Sequence, residues 1–199
     1  MRITMELISD VIFGNGMSVP GAEDTSVLCD EQGFPYYKGS TFKGVLREET
    51  ERYLEWIGDS EAKNKIEKMF GMGGNDNKTE QIYFSDFKLS PYVKEKMITE
   101  ITRMENETAD IAEIIKECLT NLRTFTSISK DGVAKKGSLR IARCVNKGVS
   151  FYSDIVCEQE QEQLIKDVIK TIKWIGTKRN RGFGRVKFSI EEVSELVSI

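Results

Sequence analysis

The sequence predicts an α+β fold, in which helices cover one face of an antiparallel sheet. Residues 2–9 alternate apolar and polar side chains, which is the pattern of a strand with one buried face. Residues 159–175 repeat apolar side chains at helical spacing, with Gly176 as the expected C-cap, and a second alternating run follows at 186–190. The predicted elements run roughly β-α-β-α-ββ-α-β along the chain. A ferredoxin-like or RRM-like sheet accommodates this order best.

Glycine and proline divide the first half of the chain. They predict a long loop over about 13–38, and loops of this length are often functional. A helix follows, with Ser40 or Thr41 as its N-cap and Gly58 at its end. The other elements predicted in this half are a short helix near 66–70, a turn at 71–77, a strand over 82–89 and one or two helices within 94–122.

Strand patterns return in the second half of the chain. From Arg123 on, apolar residues alternate over 139–145 and again over 149–157. The segment 146–148, Asn-Lys-Gly, predicts a three-residue hairpin loop between these runs, with its glycine in the left-handed conformation. We therefore expect a single domain over 1–199, with a helical insertion at about 58–122 and an inserted β-hairpin at about 124–157.

The charge of the chain is unevenly distributed. Its net charge is -3, which argues against a uniformly basic nucleic-acid binder. Basic residues nevertheless gather in 130–147 and 173–187, whereas acidic residues gather in 48–61, 95–117 and 158–167. Such a bipolar chain is able to hold RNA on a basic face while its acidic faces stay solvated or meet basic neighbours.

The absence of histidine restricts the chemistry of this chain. It excludes Ser-His and Cys-His nucleophiles and removes the usual zinc ligand. The four cysteines stand far apart without a CxxC pair, so we expect reduced thiols and no zinc site. No segment has the length or apolarity of a signal peptide or membrane span, and we expect a cytoplasmic protein.

The stretch from Thr177 to Phe188 is the leading candidate for binding a polyanion. It places two glycines, which allow close backbone approach and positive φ, among cations with no carboxylate between them. An alternating strand follows and provides a rigid platform. The sequence favours RNA or phosphate contact here over a solvated basic loop. The cations are Lys178, Arg179, Arg181 and Arg185.

A second candidate is the segment Gly39–Gly44. It lacks the Gly-Lys-Ser/Thr ending of a nucleotide P-loop. It does bring backbone N–H groups, two hydroxyls and Lys43 to a helix N-terminus, with Arg47 one turn further on the same side. Such an arrangement suits a phosphate group, although an ordinary helix cap with exposed bases remains the alternative.

Two further charged regions are candidates for nucleic-acid binding or for catalysis. The segment 127–147 is rich in lysine and arginine, and a basic hairpin there could lie along a nucleic-acid backbone or be simply solvated. The loop carboxylates Glu23-Asp24 and Asp30-Glu31 are on their own more typical of solvated side chains. In a chain without histidine, however, a carboxylate that holds a divalent ion near phosphates offers the simplest route to RNA hydrolysis.

These same stretches resemble the RAMP superfamily of CRISPR effector proteins, and within it the crRNA-binding backbone subunits of type III interference complexes. The segment 34–47, FPYYKGSTFKGVLR, is similar to the family pattern P-Y-I-P-G-S-S-L-K-G-x-L-R. The segment 180–185, NRGFGR, resembles its terminal Gly-rich loop, and 24–27, DTSV, resembles the loop whose aspartate cleaves target RNA. The resemblance spans roughly 3–47 and 123–188.

The resemblance implies a role for each matching position. Asp24 would be the target-cleaving carboxylate and would work with Mg²⁺ or another divalent metal, while Glu23 beside it could share that role. The 127–147 region would be a thumb-like hairpin that folds over the guide–target duplex, and several copies would stack along one crRNA with other CRISPR effector subunits. The residues that would hold the crRNA backbone are Ser40, Thr41, Lys43, Arg47, Arg179, Asn180, Arg181 and Arg185.

Three alternatives to a target-cleaving backbone subunit stay open at this point. One is a non-catalytic structural RAMP subunit of the same complex. Another is a crRNA-processing endoribonuclease, although such enzymes commonly use histidine, which this chain lacks. A plain RNA-recognition module would need exposed aromatic residues on its central strands, whereas the aromatic residues here mostly occupy apolar positions of the pattern.

Overall fold

The structure is a computed structural model, which describes residues 1–14, 16, 18–19, 22–71, 82–104 and 110–191. The strands are β1 (Arg2–Leu7), β2 (Tyr83–Phe84), β3 (Thr120–Phe125), β4 (Arg140–Val145), β5 (Ser150–Val156) and β6 (Val186–Glu191). The helices are α1 (Gly39–Trp56), α2 (Ala62–Phe70), α3 (Pro91–Met104), α4 (Ile111–Leu119) and α5 (Gln159–Thr171), and a 3-10 turn spans Arg179–Arg181. None of the described helices is long and apolar enough to cross a membrane.

The central sheet confirms the predicted α+β, ferredoxin-like fold. Its strand order is β2-β5-β1-β6, and each neighbouring pair is antiparallel. Helix α1 connects β1 to β2 and α5 connects β5 to β6, so the sheet strands and these helices follow the β-α-β-β-α-β order. Met5 of β1 lies opposite Phe151 and Phe188, which fixes the register at the centre of the sheet.

The core lies between this sheet and helices α1 and α5. Alternate residues of β1 are buried, as the pattern predicted, while Arg2 and Glu6 on its other face are exposed. Phe42 of α1 is fully buried against the aromatic rings of Phe84, Phe87 and Phe188. Burying a side chain of this size contributes about 1.5–3 kcal/mol, so these contacts hold α1 on the sheet.

Strands β3 and β4 form a separate two-stranded hairpin. Thr25 of the long loop forms a parallel bridge to Ala142, and Val11 an antiparallel bridge to Val145, so both flanking segments extend the hairpin base. The predicted hairpin between β4 and β5 is wrong, because β5 pairs with β1 and β2 instead. The turn 146–148 leads from one sheet to the other, and Gly148 has the expected positive φ of 84°.

Several predicted boundaries also differ from the structure. The N-cap of α1 is Lys38 rather than Ser40 or Thr41, and its side chain makes no capping hydrogen bond. Helix α5 ends at Thr171, so Gly176 lies in the following turn and is not the C-cap. The region 94–122 holds two helices followed by the start of β3, and the strand expected over 82–89 is regular only in β2. Apart from Gly71, the turn predicted at 71–77 lies outside the described residues.

Gly182 and Gly184 offer a matched test of why the loop after α5 needs glycine. Both have positive φ, 85° and 81°, but a Cβ at Gly182 would meet open space whereas one at Gly184 would overlap the carbonyl oxygen of Ile175. We expect Gly182→Ala to lower the free energy of unfolding by roughly 1–2 kcal/mol, from strain alone. Gly184→Ala should cost roughly 2–4 kcal/mol, because backbone overlap adds to the strain. Urea denaturation of both variants measures the difference, and equal losses would contradict the overlap.

Candidate nucleic-acid interface

The two stretches predicted to bind a polyanion line one cleft. The cleft has a volume of about 250 Å³ and lies between the start of α1 and the loop after α5. Lys38 and Thr41 line it on one side, and Thr177 and Arg179 on the other. The two sides of the cleft are far apart in the sequence, but the sheet brings them together. Helix α1 follows β1, and the loop precedes β6, which pairs with β1. The structure therefore brings one predicted binding residue of each motif, Thr41 and Arg179, to a single surface, which Glu48 also lines.

The N-terminus of α1 is less open to a phosphate than its sequence suggested. The carboxylate Oδ1 of Asp86 accepts the N–H of Gly39 at 2.9 Å, so a side chain distant in sequence already caps the helix. Gly39 itself is packed tightly, since a Cβ there would lie 2.6 Å from the carbonyl oxygens of Phe84 and Ser85. A phosphate at this helix end would meet a neighbouring negative charge, and the cations around the cleft become more important for binding.

Four predicted α1 residues separate into two groups. Thr41 lines the cleft, and Ser40 is exposed beside it. Arg47 donates to the carbonyl oxygen of Gly71 at 3.4 Å and pairs with Glu51 at 3.2 Å, so its guanidinium faces the end of α2 instead. Lys43 lies one turn before Arg47 on the same side of the helix, and Thr41 lies on a different side. The structure therefore does not bring Lys43 and Arg47 to the cleft.

Hydrogen bonds attach the end of the Gly-rich loop after α5 to the residues that follow β1. Gly184 donates its N–H to the carbonyl oxygen of Asp10 at 2.9 Å, and Arg185 donates its N–H to Ser9 Oγ at 2.9 Å. The predicted polar side chains of this loop all reach the surface, and no described carboxylate forms an ion pair with any of its arginines. These exposed side chains are Arg179, Asn180, Arg181 and Arg185.

Phe125, at the end of β3, joins the hairpin to this loop. The ammonium of Lys178 lies 3.5 Å from the centre of its ring, and the guanidinium of Arg181 lies 5.7 Å away. Phe183 packs edge-on against the same ring at 5.5 Å. Burial, together with the charge of Arg181, lowers the pKa of Lys178 below its ordinary value. Phe125 was not predicted as a site residue, because an aromatic position in a strand pattern gives no sign of the cations that cover it.

Asp10 makes a second connection between the same elements. Its carboxylate accepts hydrogen bonds from Arg123 at 2.8 Å, from Asn121 at 3.3 Å and from the N–H of Lys147 at 3.0 Å. Burial alone would raise the pKa of Asp10, but these hydrogen bonds hold it below its ordinary value. This carboxylate was also missed, because its partners lie more than 110 residues away in the sequence and only the fold brings them together.

Asp24, the candidate catalytic carboxylate, is exposed beside the hairpin base. Its N–H donates to the carbonyl oxygen of Ile141 at 2.7 Å, and its Oδ2 accepts the N–H of Ile141 at 2.7 Å. It lines a pocket of about 290 Å³ with Val19 and Leu139. The pKa of Lys178 is lowered by burial and by Arg181, and the charge of Asp24 opposes this lowering. The Asp24 carboxylate is exposed, with one oxygen bonded to the backbone of β4.

The neighbouring acids have structural roles. Glu23 is only 4% exposed, and its carboxylate pairs with Arg143 at 2.7 Å. Arg143 also binds Thr120 Oγ1 at 2.9 Å and Glu117 at 2.8 Å, so it joins the long loop to β3 and α4. Asp30 pairs with Lys94 and caps its own turn. Glu23 is thus buried in an ion pair, whereas Asp24, which lines the same pocket, is exposed.

The hairpin keeps most of its cations on its surface. Lys130, Lys135, Lys136 and Arg140 are exposed around the tip, and Lys147 is exposed beyond the base. Arg143 belongs to the same basic stretch but is buried by its ion pairs, so it is not available to a nucleic acid. Alternation along β4 places these two kinds of arginine on opposite faces of the strand.

The donor set around Asp24 suits only a loosely held divalent ion. Among the described residues, no group of three histidine, cysteine or acidic side chains could enclose a metal. Mg²⁺, however, commonly binds through one or two carboxylates, several waters and the phosphates of a substrate. The free oxygen of Asp24 fits that mode, in which RNA would supply the remaining ligands.

Comparison with known proteins identifies the family. A model of the RAMP superfamily matches residues 4–187. The chain belongs to the RAMP superfamily. This RAMP protein has the fold of a chain in a cryo-EM structure of type III-B Cmr-beta bound to cognate target RNA, with a TM-score of 0.68, 14% identity, and coverage of 94% of this chain and 95% of that one.

Two further structures share the fold of this RAMP protein. A chain of type III-B Cmr-beta in its apo state gives a TM-score of 0.68 at 16% identity, again covering 94% of this chain and 95% of that one. The crystal structure of Cmr4 gives a TM-score of 0.51 at 18% identity and covers 97% of this chain and 99% of that one. A search of curated proteins gives no match.

Proposed function

We propose that this RAMP protein is a crRNA-binding backbone subunit of a type III CRISPR effector complex. The observation that carries the proposal is the shared cleft, because it unites the start of α1 with Arg179, in a loop whose arginines form no ion pair with a described carboxylate. Guide RNA would lie across this surface, held through its phosphates, and the guide would supply sequence specificity by base pairing. The protein would act in the cytoplasm with further copies of itself and other CRISPR effector subunits.

The hairpin and Asp24 extend the proposal to target RNA. The exposed cations of the hairpin tip would lie over the guide–target duplex, and Asp24 at the hairpin base would face the target strand. A divalent metal held there would lower the pKa of a bound water and stabilise charge on the phosphate. Asp24 would hold the metal through its free oxygen, while its bond to Ile141 keeps the carboxylate in place.

The guide-binding surface can be tested with a double variant, Arg179→Ala/Arg181→Ala. Each lost contact to a single-stranded phosphate lowers the slope of log affinity against log salt by about 0.7, so we expect a reduction of about 1.4. The control is Lys63→Ala/Arg103→Ala, which removes the same charge from exposed sites on α2 and α3. Filter binding of crRNA across a salt series measures both slopes. Equal slopes for the two double variants would contradict the cleft as the binding site.

Sequencing the RNA that copurifies with the protein tests the class of ligand. A backbone subunit should retain small RNAs that carry a CRISPR-repeat sequence, and the Arg179→Ala/Arg181→Ala variant should retain fewer of them. Random cellular RNA in the purified protein would instead indicate general RNA binding and would refute the assignment to a guide complex.

A non-catalytic subunit of the same complex is the second candidate. It is favoured by the hydrogen bond that occupies one oxygen of Asp24 and by the absence of a metal-binding cluster among the residues described. The two candidates differ in a single assay, in which the assembled complex receives Mg²⁺ and complementary RNA. Cleavage supports the catalytic subunit, whereas stable binding of intact target supports the structural one.

A further inference from the structure

A groove at the other end of α1 has no part in the RNA proposal. It lies between the end of α1, helix α2 and the start of α5, and its volume is about 560 Å³. We call it the acidic groove. Its floor is apolar, and its polar rim carries four carboxylates, three amides and two lysines. The floor residues are Tyr53, Leu54, Ile57, Met69 and Leu164, and the acidic rim residues are Asp59, Glu61, Glu160 and Asp167.

Solvent-exposed apolar residues adjoin this groove. Trp56 is 82% exposed and Ile57 is 51% exposed, both at the end of α1. The ring of Trp56 lies 6.4 Å from that of Tyr53, which lines the groove. Tryptophan and tyrosine dominate the binding energy of protein interfaces, and an exposed apolar patch beside a groove is typical of such sites.

The charge of the rim selects the kind of partner. Four carboxylates face two lysines, and both lysines are already paired: Lys65 with Asp59 at 2.5 Å, and Lys68 with Glu158 and Glu160 at 3.5 and 3.6 Å. The net negative rim repels a phosphate backbone and attracts a cationic segment. RNA is therefore a poor occupant, whereas a basic protein segment is complementary in both charge and apolar surface.

The longer segments of this chain outside the described residues are not complementary in charge to the acidic rim. By sequence, 72–81 and 105–109 each carry more acidic than basic residues, and 192–199 carries two glutamates and no cation. The groove also lies far from the RNA cleft. Thr41 lines the cleft and Trp56 adjoins the groove, and these residues are about 22 Å apart along the axis of α1. A second protein could therefore dock while the cleft holds RNA.

We propose that the acidic groove docks a cationic amphipathic helix of a different protein. Its apolar face would cover Tyr53, Trp56 and Ile57, and its lysines or arginines would face Glu61 and Glu160 on the rim. Docking by an amphipathic helix in an apolar groove is a common mode of protein recognition. The surface is independent of the nucleic-acid interface, so either proposal can fail while the other holds.

A model peptide provides the direct test. The probe is a helical peptide of about four turns with leucine on one face and lysine on the other. The readout is the fluorescence of Trp56 in a Trp174→Phe background, which removes the second tryptophan of the chain. We expect saturable binding that weakens as salt rises. A peptide with serine in place of leucine should bind at least ten-fold more weakly, as should one with glutamate in place of lysine.

Charge reversal locates the binding site. Glu61→Lys/Glu160→Lys should weaken binding of the leucine–lysine peptide at least ten-fold, because it inverts the exposed part of the rim. The control is Glu31→Lys/Glu95→Lys, which makes the same change in net charge on exposed residues elsewhere. Equal binding by the two variants would refute the groove as the site.

Three other outcomes would also refute the proposal. Equal binding of the serine–lysine peptide would show that charge alone drives the interaction. Dimerisation of the protein at micromolar concentration, lost in the Glu61→Lys/Glu160→Lys variant, would identify a second copy of this chain as the occupant; sedimentation equilibrium measures it. A saturable change in Trp56 fluorescence on adding single-stranded RNA without peptide would assign the groove to nucleic acid instead.

Discussion

Asp24→Asn is expected to abolish target-RNA cleavage by the assembled complex while leaving the guide bound. Asparagine keeps an oxygen that can accept the N–H of Ile141, so the loop should retain its position. It lacks the charge needed to hold a divalent metal next to phosphate, and loss of that contribution should slow cleavage at least about a hundred-fold. A time course with labelled complementary RNA and Mg²⁺ measures the rate, and filter binding measures retention of the guide.

Glu31→Gln is the matched control for this experiment, since Glu31 is an exposed carboxylate of the same long loop. It should cleave at the wild-type rate. Unchanged cleavage by Asp24→Asn would refute the catalytic role of Asp24, and equal loss in both variants would point to the total charge of the loop. If the wild-type complex binds target but leaves it intact, the non-catalytic subunit is the correct function.

Arg143→Met is expected to lower the free energy of unfolding by about 3–5 kcal/mol, because it leaves Glu23 as an uncompensated buried charge. Methionine keeps much of the volume of the side chain, so the effect arises from charge and hydrogen bonding rather than from a cavity. Thr120 Oγ1 loses a donor in the same variant. Urea denaturation followed by circular dichroism measures the change.

Arg2→Met provides the comparison, since Arg2 forms an exposed ion pair with Asp154 at 3.0 Å. Exposed pairs contribute about 0–1 kcal/mol, so this variant should remain close to the wild type. The double variant Arg143→Met/Glu23→Leu removes both buried charges and should recover part of the lost stability. Similar losses for Arg143→Met and Arg2→Met would show that water reaches the Glu23–Arg143 pair.

The fold was largely predictable from periodicity, because the spacing of apolar residues in a strand or helix shows which of its faces is buried. The apolar alternation of β1 and the helical stripe of α5 depend only on local spacing, and both match the structure. The pairing of strands could not be predicted from local spacing. The segment 146–148 has the composition of a hairpin loop, yet the partners of β5 are β1 and β2, whose positions are set by the whole sheet.

The candidate site was predictable in its outline but not in its contacts. The two motifs that line the cleft are visible in sequence, whereas Asp86 caps α1 from 47 residues away. Glu23 and Asp24 are adjacent acids with the same chemistry, and only the position of Arg143 shows that one is buried and the other exposed. Ion pairs between distant segments leave no periodic signal, so nothing in the basic stretch 127–147 distinguishes the buried Arg143 from its exposed neighbours.

The contact between Lys178 and Phe125 joins two parts of the molecule that have different proposed ligands. Lys178 precedes the arginines proposed to hold the guide, and Phe125 lies where the hairpin proposed to cover the target leaves its base. Immobilising the loop by guide binding removes part of the entropy that the hairpin would otherwise lose on closing over the duplex. We therefore expect guide and target to bind cooperatively, so that an empty subunit has less affinity for free RNA than a loaded one has for its complement.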